Sequence, residues 1–279
     1  MEVSRILRGL RPHYLAVVGA LIILVLAIAA LTAPYLTDYN PNKVAVRERL
    51  RPPGRAHVLG TDDLGRDLFS RLLFGARPSL TVGAVSTSLS TAIGTVLGLL
   101  AAFQGRLLGR IIMGAMDILF AFPAILFALA LITMLGVSLT NLIVALTIIY
   151  LPRLVRVVRA SALQVRELEF IASATALGAG TPRILFRHVL PNVAGPMIVQ
   201  ATVGFSLAVL AEATLSFLGL GVQPPQPSWG AMLNAARPFM EVAPWTVLFP
   251  TLAIALAVLG FNLLGDGLRD WLDPKLKDT

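Results

Sequence analysis

Long uncharged apolar runs alternate along this chain with shorter polar stretches. The first, residues 15–33, is 19 residues without a charge, enough at about 1.5 Å per residue to carry a helix across roughly 28 Å of hydrocarbon. The small residues at 30–33 also resemble a leader-peptide cleavage site, so a removed signal segment stands beside an uncleaved first span. The run is longer than an ordinary signal core, which favours the span. Further apolar runs follow at 80–103, 111–135, 142–152, 192–220 and 243–264. The pattern predicts an all-α polytopic membrane protein with six transmembrane helices.

The stretches between the runs divide the chain. Residues 1–14 form a basic N-terminus, 15–34 the first span and 35–78 a long loop. Residues 79–268 form a five-helix core containing a polar segment at 153–191, and 269–279 a charged tail. In the loop, Leu64, Leu68, Phe69, Leu72 and Leu73 recur at helical spacing behind Asp62 and Asp63, which predicts an amphipathic helix on the membrane surface. Ser86, Thr87, Ser88, Ser90, Thr91 and Thr95, with Gly94 and Gly98, give the second span small and hydroxyl side chains suited to close helix packing. Pro123 predicts a kink in the third span.

Composition agrees with the pattern. The chain is 56% hydrophobic and 14% charged with mean hydropathy +0.80, where a soluble domain carries about a quarter charged residues. It contains no cysteine, which excludes disulfides and thiolate metal sites. The net charge of +8 comes from basic residues scattered between spans without interleaved aromatics, a pattern of membrane orientation rather than nucleic-acid binding. With the N-terminus inside, Lys and Arg divide 14 inside to 9 outside. The long loop opposes that assignment and the short loops support it, so both termini are expected in the cytoplasm. His13, His57 and His188 are dispersed, and Asp62, Asp63 and Asp67 lack the alternating ligand spacing of a calcium loop. No metal site is expected. No phosphate-binding G-x-x-x-x-G-K-[ST] loop and no nucleophile elbow occurs, so the chain is expected neither to bind ATP by such a loop nor to be an enzyme.

Two ionisable residues fall inside spans, where a charge is costly and marks function by default. Asp117 lies near the inner end of its helix, positioned for a basic partner or a pathway role. Glu212 lies near the outer end of the fifth span, as a gate or as a tie for the proline-rich loop that follows.

The polar segment 153–191 lies between two apolar spans. Residues 163–177 are rich in helix formers, Gly178 and Gly180 offer a left-handed stop, and Thr181-Pro182 reads as an N-cap followed by proline at the first helical position. A helix, turn and second helix running toward Pro191 are predicted. On periodicity alone it could lie on lipid headgroups or dock against a soluble protein.

The run ELEFIASATALGAGTPRILFRHVLPN within this segment resembles the "EAA" signature of bacterial ABC importer permeases, in the form of the dipeptide/oligopeptide/nickel branch. GTDDLGRDLFSRLLFGARPSL, MDILFAFPAILFALAL, AEATLSFLGLGVQPPQPSWG and NLLGDGLRDWLDP extend the resemblance over nearly the whole chain after the first span. The signature places its three leading positions on Ala172, Ser173 and Ala174, its glycine on Gly178 and its closing pair on Leu190 and Pro191. Ala172 stands where glutamate is usual and Ser173 where alanine is, with Glu167 and Glu169 close by.

The resemblance implies a type I ABC importer permease fold in a bacterial or archaeal plasma membrane. Glu169, Ala172, Ser173, Ala174, Leu177, Gly178, Arg183, Arg187 and Pro191 would form the coupling segment that docks on an ATPase. It further implies a heterodimer with a homologous permease chain, two ATP-binding subunits that hold ATP and Mg, and an extracytoplasmic substrate-binding protein. The cargo would be peptides, glutathione or nickel complexes. The readings opposed to it are a proton-coupled secondary transporter using Asp117 and Glu212, and a membrane scaffold that carries no solute.

Overall fold

The computed structural model describes residues 2–272, with side chains from 14 to 271; Met1 and residues 273–279 lie outside it. The predicted N-terminal arginines Arg5, Arg8 and Arg11 and the tail lysines Lys275 and Lys277 therefore lie outside the described side chains. Helix α1 (Glu2–Leu31) is followed by the short α2 (Ala33–Leu36) and a loop that contains one 3-10 turn. Then come α3 (Leu68–Phe103), α4 (Arg106–Ala121), α5 (Ala124–Leu135), α6 (Leu139–Arg166), α7 (Glu169–Ala176) and α8 (Thr181–Ile184). Helices α9 (Leu190–Phe217), α10 (Trp229–Ala236) and α11 (Trp245–Leu272) complete the described residues.

Among the described residues, five helical stretches are long and apolar enough to cross a membrane: Tyr14–Leu31, Leu68–Phe103, Leu139–Arg166, Thr181–Phe217 and Trp245–Trp271. The pair α4 and α5, bent by 93° at a short break, makes a sixth when it is counted as one broken span. Pro123 occupies that break as the N-cap of α5, so the expected kink is a complete interruption. Pairing loss alone does not require this: Pro78, Pro152, Pro196 and Pro250 all sit inside uninterrupted helices. Neighbouring helices and local adjustment restore freed backbone groups in such bundles.

Several boundaries differ from the sequence expectation. The amphipathic helix expected in the loop is the first part of α3, which runs unbroken for 36 residues from its cap at Asp67. The fourth span does not end at Pro152: α6 continues to Arg166. Its extension packs Leu154, Val158, Ala162 and Val165 into a cluster with Leu99, Ala102, Val189 and Val193, and that burial outweighs one missing donor. Helix α11 runs past residue 268 to Leu272.

Helix α3 is central, packed along α6 and α9, while α1 lies along α11. Close approach of α3 to α6 depends on the absence of side chains at two positions. A Cβ on Gly94 would fall 2.6 Å from Leu154 Cδ2, and one on Gly98 2.7 Å from Val158 Cβ. The bundle has two unlike ends, one closed by α10 with the loop 37–67 and the other carrying α7.

Candidate functional site

The α7 end is built from a break, a stop and a restart. Helix α6 stops at Glu167, and α7 begins at Glu169, so the single helix expected over 163–177 is two. At the stop, Gly178 adopts φ +81; its N–H donates to Thr175 O at 2.9 Å and the Ala179 N–H to Ala174 O at 3.0 Å. This reciprocal pair is the Schellman arrangement, and it satisfies carbonyls that the helix end would leave free.

The restart differs from the predicted one. Gly180, not Thr181, is the N-cap of α8, and Thr181 and Pro182 are already helical with no side-chain cap bond. The second helix does not close at Leu190-Pro191 either. It widens into one π turn at Leu185–Val189, with the Leu190 N–H donating to Leu185 O, and continues as α9. The wide turn falls just before Pro191, which has no N–H to give.

Beneath α7, Ile171 is 4% exposed and joins the cluster with Ile184, Val189 and the ends of α3 and α6. One residue thus seats the element. Ala172, Ser173, Thr175 and Ala176 are exposed, Ala174 is half-buried, and Leu177 at the tip is 88% exposed. Glu169, Arg183, Arg187 and Pro191 are also exposed, with Leu168, Phe170 and Phe186 forming apolar patches among them. The sequence-predicted coupling residues are thus all exposed except the half-buried Ala174, and they carry charges of both signs.

The other end encloses its polar groups. His57 Nδ1 lies 2.8 Å from Asp67 Oδ1 and Nε2 lies 3.0 Å from Glu48 Oε2. Burial disfavours charging this imidazole, yet its hydrogen bonds to Asp67 and Glu48 outweigh burial and hold its pKa above the ordinary value. Asp67 Oδ2 accepts from the Ser70 N–H and hydroxyl, capping α3. Asp62 is gripped by Arg66 Nε at 2.7 Å and Arg71 Nε at 3.3 Å. Burial and the neighbouring Asp62 carboxylate push the Asp63 pKa up. Arg77 ties α1 to α3 by donating from Nε to Ala30 O and from Nη2 to Leu31 O.

The two intramembrane carboxylates meet different surroundings. Arg156 Nη2 donates to Asp117 Oδ1 at 2.7 Å, and the guanidinium lies 4.2 Å from the Phe120 ring centroid. Glu212 is fully buried. Its Oε1 accepts from the Ser216 hydroxyl at 2.7 Å, and Ser216 Oγ accepts from the Val222 N–H at 3.3 Å. Oε2 has no hydrogen-bond partner among the described residues, with the hydroxyls of Ser79 and Ser228 alongside. The carboxyl thus sits behind the turn that leads into the loop 218–228. The structure does not bring Asp117 and Glu212 together, since they lie toward opposite ends of the bundle.

Sequence reasoning missed the His57 network, whose members stand nine or ten residues apart on an irregular loop. It also opened the polar segment outside the bilayer at Arg153. Counting residues places Arg153 inside the bilayer: it follows the α6 cap Ser138 by about 22 Å of helix, short of a hydrocarbon thickness of about 30 Å.

Comparison with known proteins places the chain in a family. The model of the binding-protein-dependent transport system inner membrane component family matches residues 94–278, and that of the N-terminal TM domain of oligopeptide transport permease C matches residues 3–53. The dipeptide transport system permease protein DppC of Alkalihalophilus pseudofirmus is 48% identical over 270 residues, which cover 97% of this chain and 89% of that protein. The glutathione transport system permease protein GsiD of Pectobacterium atrosepticum is 47% identical over 271 residues, 97% of this chain and 90% of its own length. Among solved structures, the MetNI methionine ABC transporter in an inward-facing conformation shares the fold. Its TM-score is 0.61 at 20% identity, covering 72% of this chain and 96% of that one. The chain therefore belongs to the family of inner membrane components of binding-protein-dependent transport systems, the permease subunits of ABC importers.

Proposed function

We propose that this permease subunit forms one half of a translocation pathway for di- or oligopeptides or related small solutes, and that a cytoplasmic ATPase drives it through the α7 segment. The observation that carries the reading is the construction of α7: a short helix seated by Ile171, stopped by Gly178, and offering an exposed face of small residues with Leu177 at its tip. Small side chains let a partner's backbone approach, and the apolar tip supplies area to bury. ATP-driven closure of the ATPase pair would push α7, and the continuous helix from the π turn into α9 would carry that motion into the bundle.

This assigns the α7 end and both termini to the cytoplasm and makes the loop 37–67 extracytoplasmic. The chain itself is non-catalytic in this reading. Its partners are a related permease chain, two ATP-binding subunits holding ATP and Mg, and an extracytoplasmic solute-binding protein. The peptide assignment rests on relatives named for dipeptide and glutathione transport. The proton-driven alternative gains nothing from the geometry, because Asp117 is paired and Glu212 is sealed.

Gentle purification from the native membrane with mass spectrometry tests the assembly. A second permease and two ATPase chains are the expected companions. Recovery of the chain alone, with solute flux in vesicles lacking ATP, would overturn the proposal. Because the chain has no cysteine, Leu177→Cys provides a single thiol on its surface, and its disulfide cross-linking to the ATPase is the expected proximity signal.

A further inference from the structure

Arg153, Arg156 and Arg159 project from α6 at three-residue spacing but have different surroundings. Arg156 is paired with Asp117, and Arg159 Nε reaches Ala101 O at 3.5 Å. Arg153 is exposed and forms no hydrogen bond or ion pair among the described residues. It lines a crevice with Thr87 and Thr91 of α3, Tyr150 of α6 and Gln200 of α9. Arg153 follows Leu139 by 14 residues and precedes Arg166 by 13, which puts it roughly 20 Å of helix from either end of α6. The cluster therefore sits halfway through the bundle.

An unpaired guanidinium at that depth is costly unless it faces water or a partner of opposite charge. The crevice behind it, about 10 Å³, has room for about one water. Thr87 is 7% exposed, and the hydroxyls of Thr87 and Thr91 are buried without a hydrogen-bond partner. Polar side chains from three helices thus converge on the crevice, with the cation at their open side.

We propose that Arg153 is a solute-contacting residue, binding the carboxylate of the passing solute on the face that this chain presents to its partner permease. The proposal rests on the peptide reading above and makes it more specific. A guanidinium fork matches a carboxylate in two parallel hydrogen bonds, and a peptide with a free C-terminus carries that group whatever its side chains. Recognition of the terminus suits a pathway that must accept many sequences. An exposed site binds weakly enough to release its occupant, as conduction requires.

The test uses the complete transporter with its ATPases and binding protein in vesicles, and the uptake of a dipeptide with a free C-terminal carboxylate. Uptake per assembled complex is expected to fall at least tenfold in Arg153→Gln and to be partly kept in Arg153→Lys. In Arg153→Cys, treatment after assembly with a cationic aminoethyl thiosulfonate is expected to restore uptake, and the anionic sulfonatoethyl reagent to leave it low. Equal effects of the two reagents, or undiminished uptake in Arg153→Gln, would overturn the carboxylate contact. Failure of the unsubstituted complex to carry any peptide would instead overturn the peptide reading, and this inference with it.

Discussion

The two ends of the bundle use polar residues in opposite ways. At the α10 end, Asp62, Asp67, His57, Arg71, Ser79, Ser228 and Glu212 are buried, and most are joined by hydrogen bonds within the chain. At the α7 end, Glu167, Glu169, Arg183 and Arg187 are exposed, and one apolar side chain, Ile171, holds the element down. A buried polar network rigidifies when its members are satisfied, whereas an exposed surface of small residues is free to meet another protein. The comparison separates an end whose polar groups are enclosed from one whose polar groups are left on the surface.

A pair of truncations puts the largest strain on that distinction. Trp229 is 1% exposed, its Nε1 donates to Leu72 O at 3.0 Å, and its ring packs with Leu68, Phe205 and Val209. Trp229→Ala is expected to cost about 3–5 kcal/mol, read as lower thermal stability and lower yield in detergent. Leu177→Ala removes a side chain that is almost fully exposed, and its expected cost is within about 0.5 kcal/mol. Uptake should nevertheless fall if the tip anchors the ATPase as proposed. Equal stability losses in the two variants would erase the contrast.

Gly178→Val sharpens it further. A Cβ at this position meets nothing within 4 Å, so the cost comes only from holding φ +81, roughly 1–2 kcal/mol for a residue with a side chain. The variant is expected to fold, to assemble, and to hydrolyse ATP with reduced uptake, because the exit angle of α7 changes. Uptake that stays in proportion to ATP hydrolysis would count against the docking model.

What the sequence made legible follows the same division. Gly178 could be read directly because a left-handed stop needs glycine, and the spans could be read because apolar runs of that length have few alternatives. Helix ends were harder. Pro152 looked terminal by a rule drawn from single helices, but Leu154 and Val158 of the extension meet α3 at Gly94 and Gly98, and that packing is invisible to a local pattern. Thr181 looked like a cap by residue type, yet the turn geometry gave the position to Gly180. The pairing of His57 with Asp67 and Glu48 had no periodicity to reveal it. Arg153 was legible by arithmetic along α6, although its lack of a partner was not.

The closed end should respond to pH in a direction fixed by His57. Its pKa is raised above 6.5 by the two carboxylates despite burial. A group whose folded pKa is raised adds stability that is fully present below the unfolded value and is lost as pH rises through the folded value. The thermal midpoint should therefore decline as pH rises from about 6.5, and more in the native chain than in His57→Gln. Parallel curves for the two proteins would remove this histidine from the stability of the loop. The Asp63 pKa is raised as well, so its contribution is also lost as pH rises, but from the lower carboxylate range, which separates the two windows.

The smallest expected effect concerns Glu212, where the tie and the gate make different forecasts. The carboxyl holds Ser216, and Ser216 holds the Val222 N–H, so the group acts on the path of the following turn. Gln keeps an acceptor for Ser216, and its amide can donate toward Ser79 or Ser228, which lie beside the unpaired Oε2. As a tie, Glu212→Gln should leave uptake unchanged and shift stability by less than about 1 kcal/mol. Glu212→Ala, which also opens a cavity, should loosen the loop and cost more. A gate that depends on the carboxyl charge would instead lose uptake in Glu212→Gln with assembly intact. That outcome would make the buried end a working part of the pathway and abolish the division between a closed end and a coupled one.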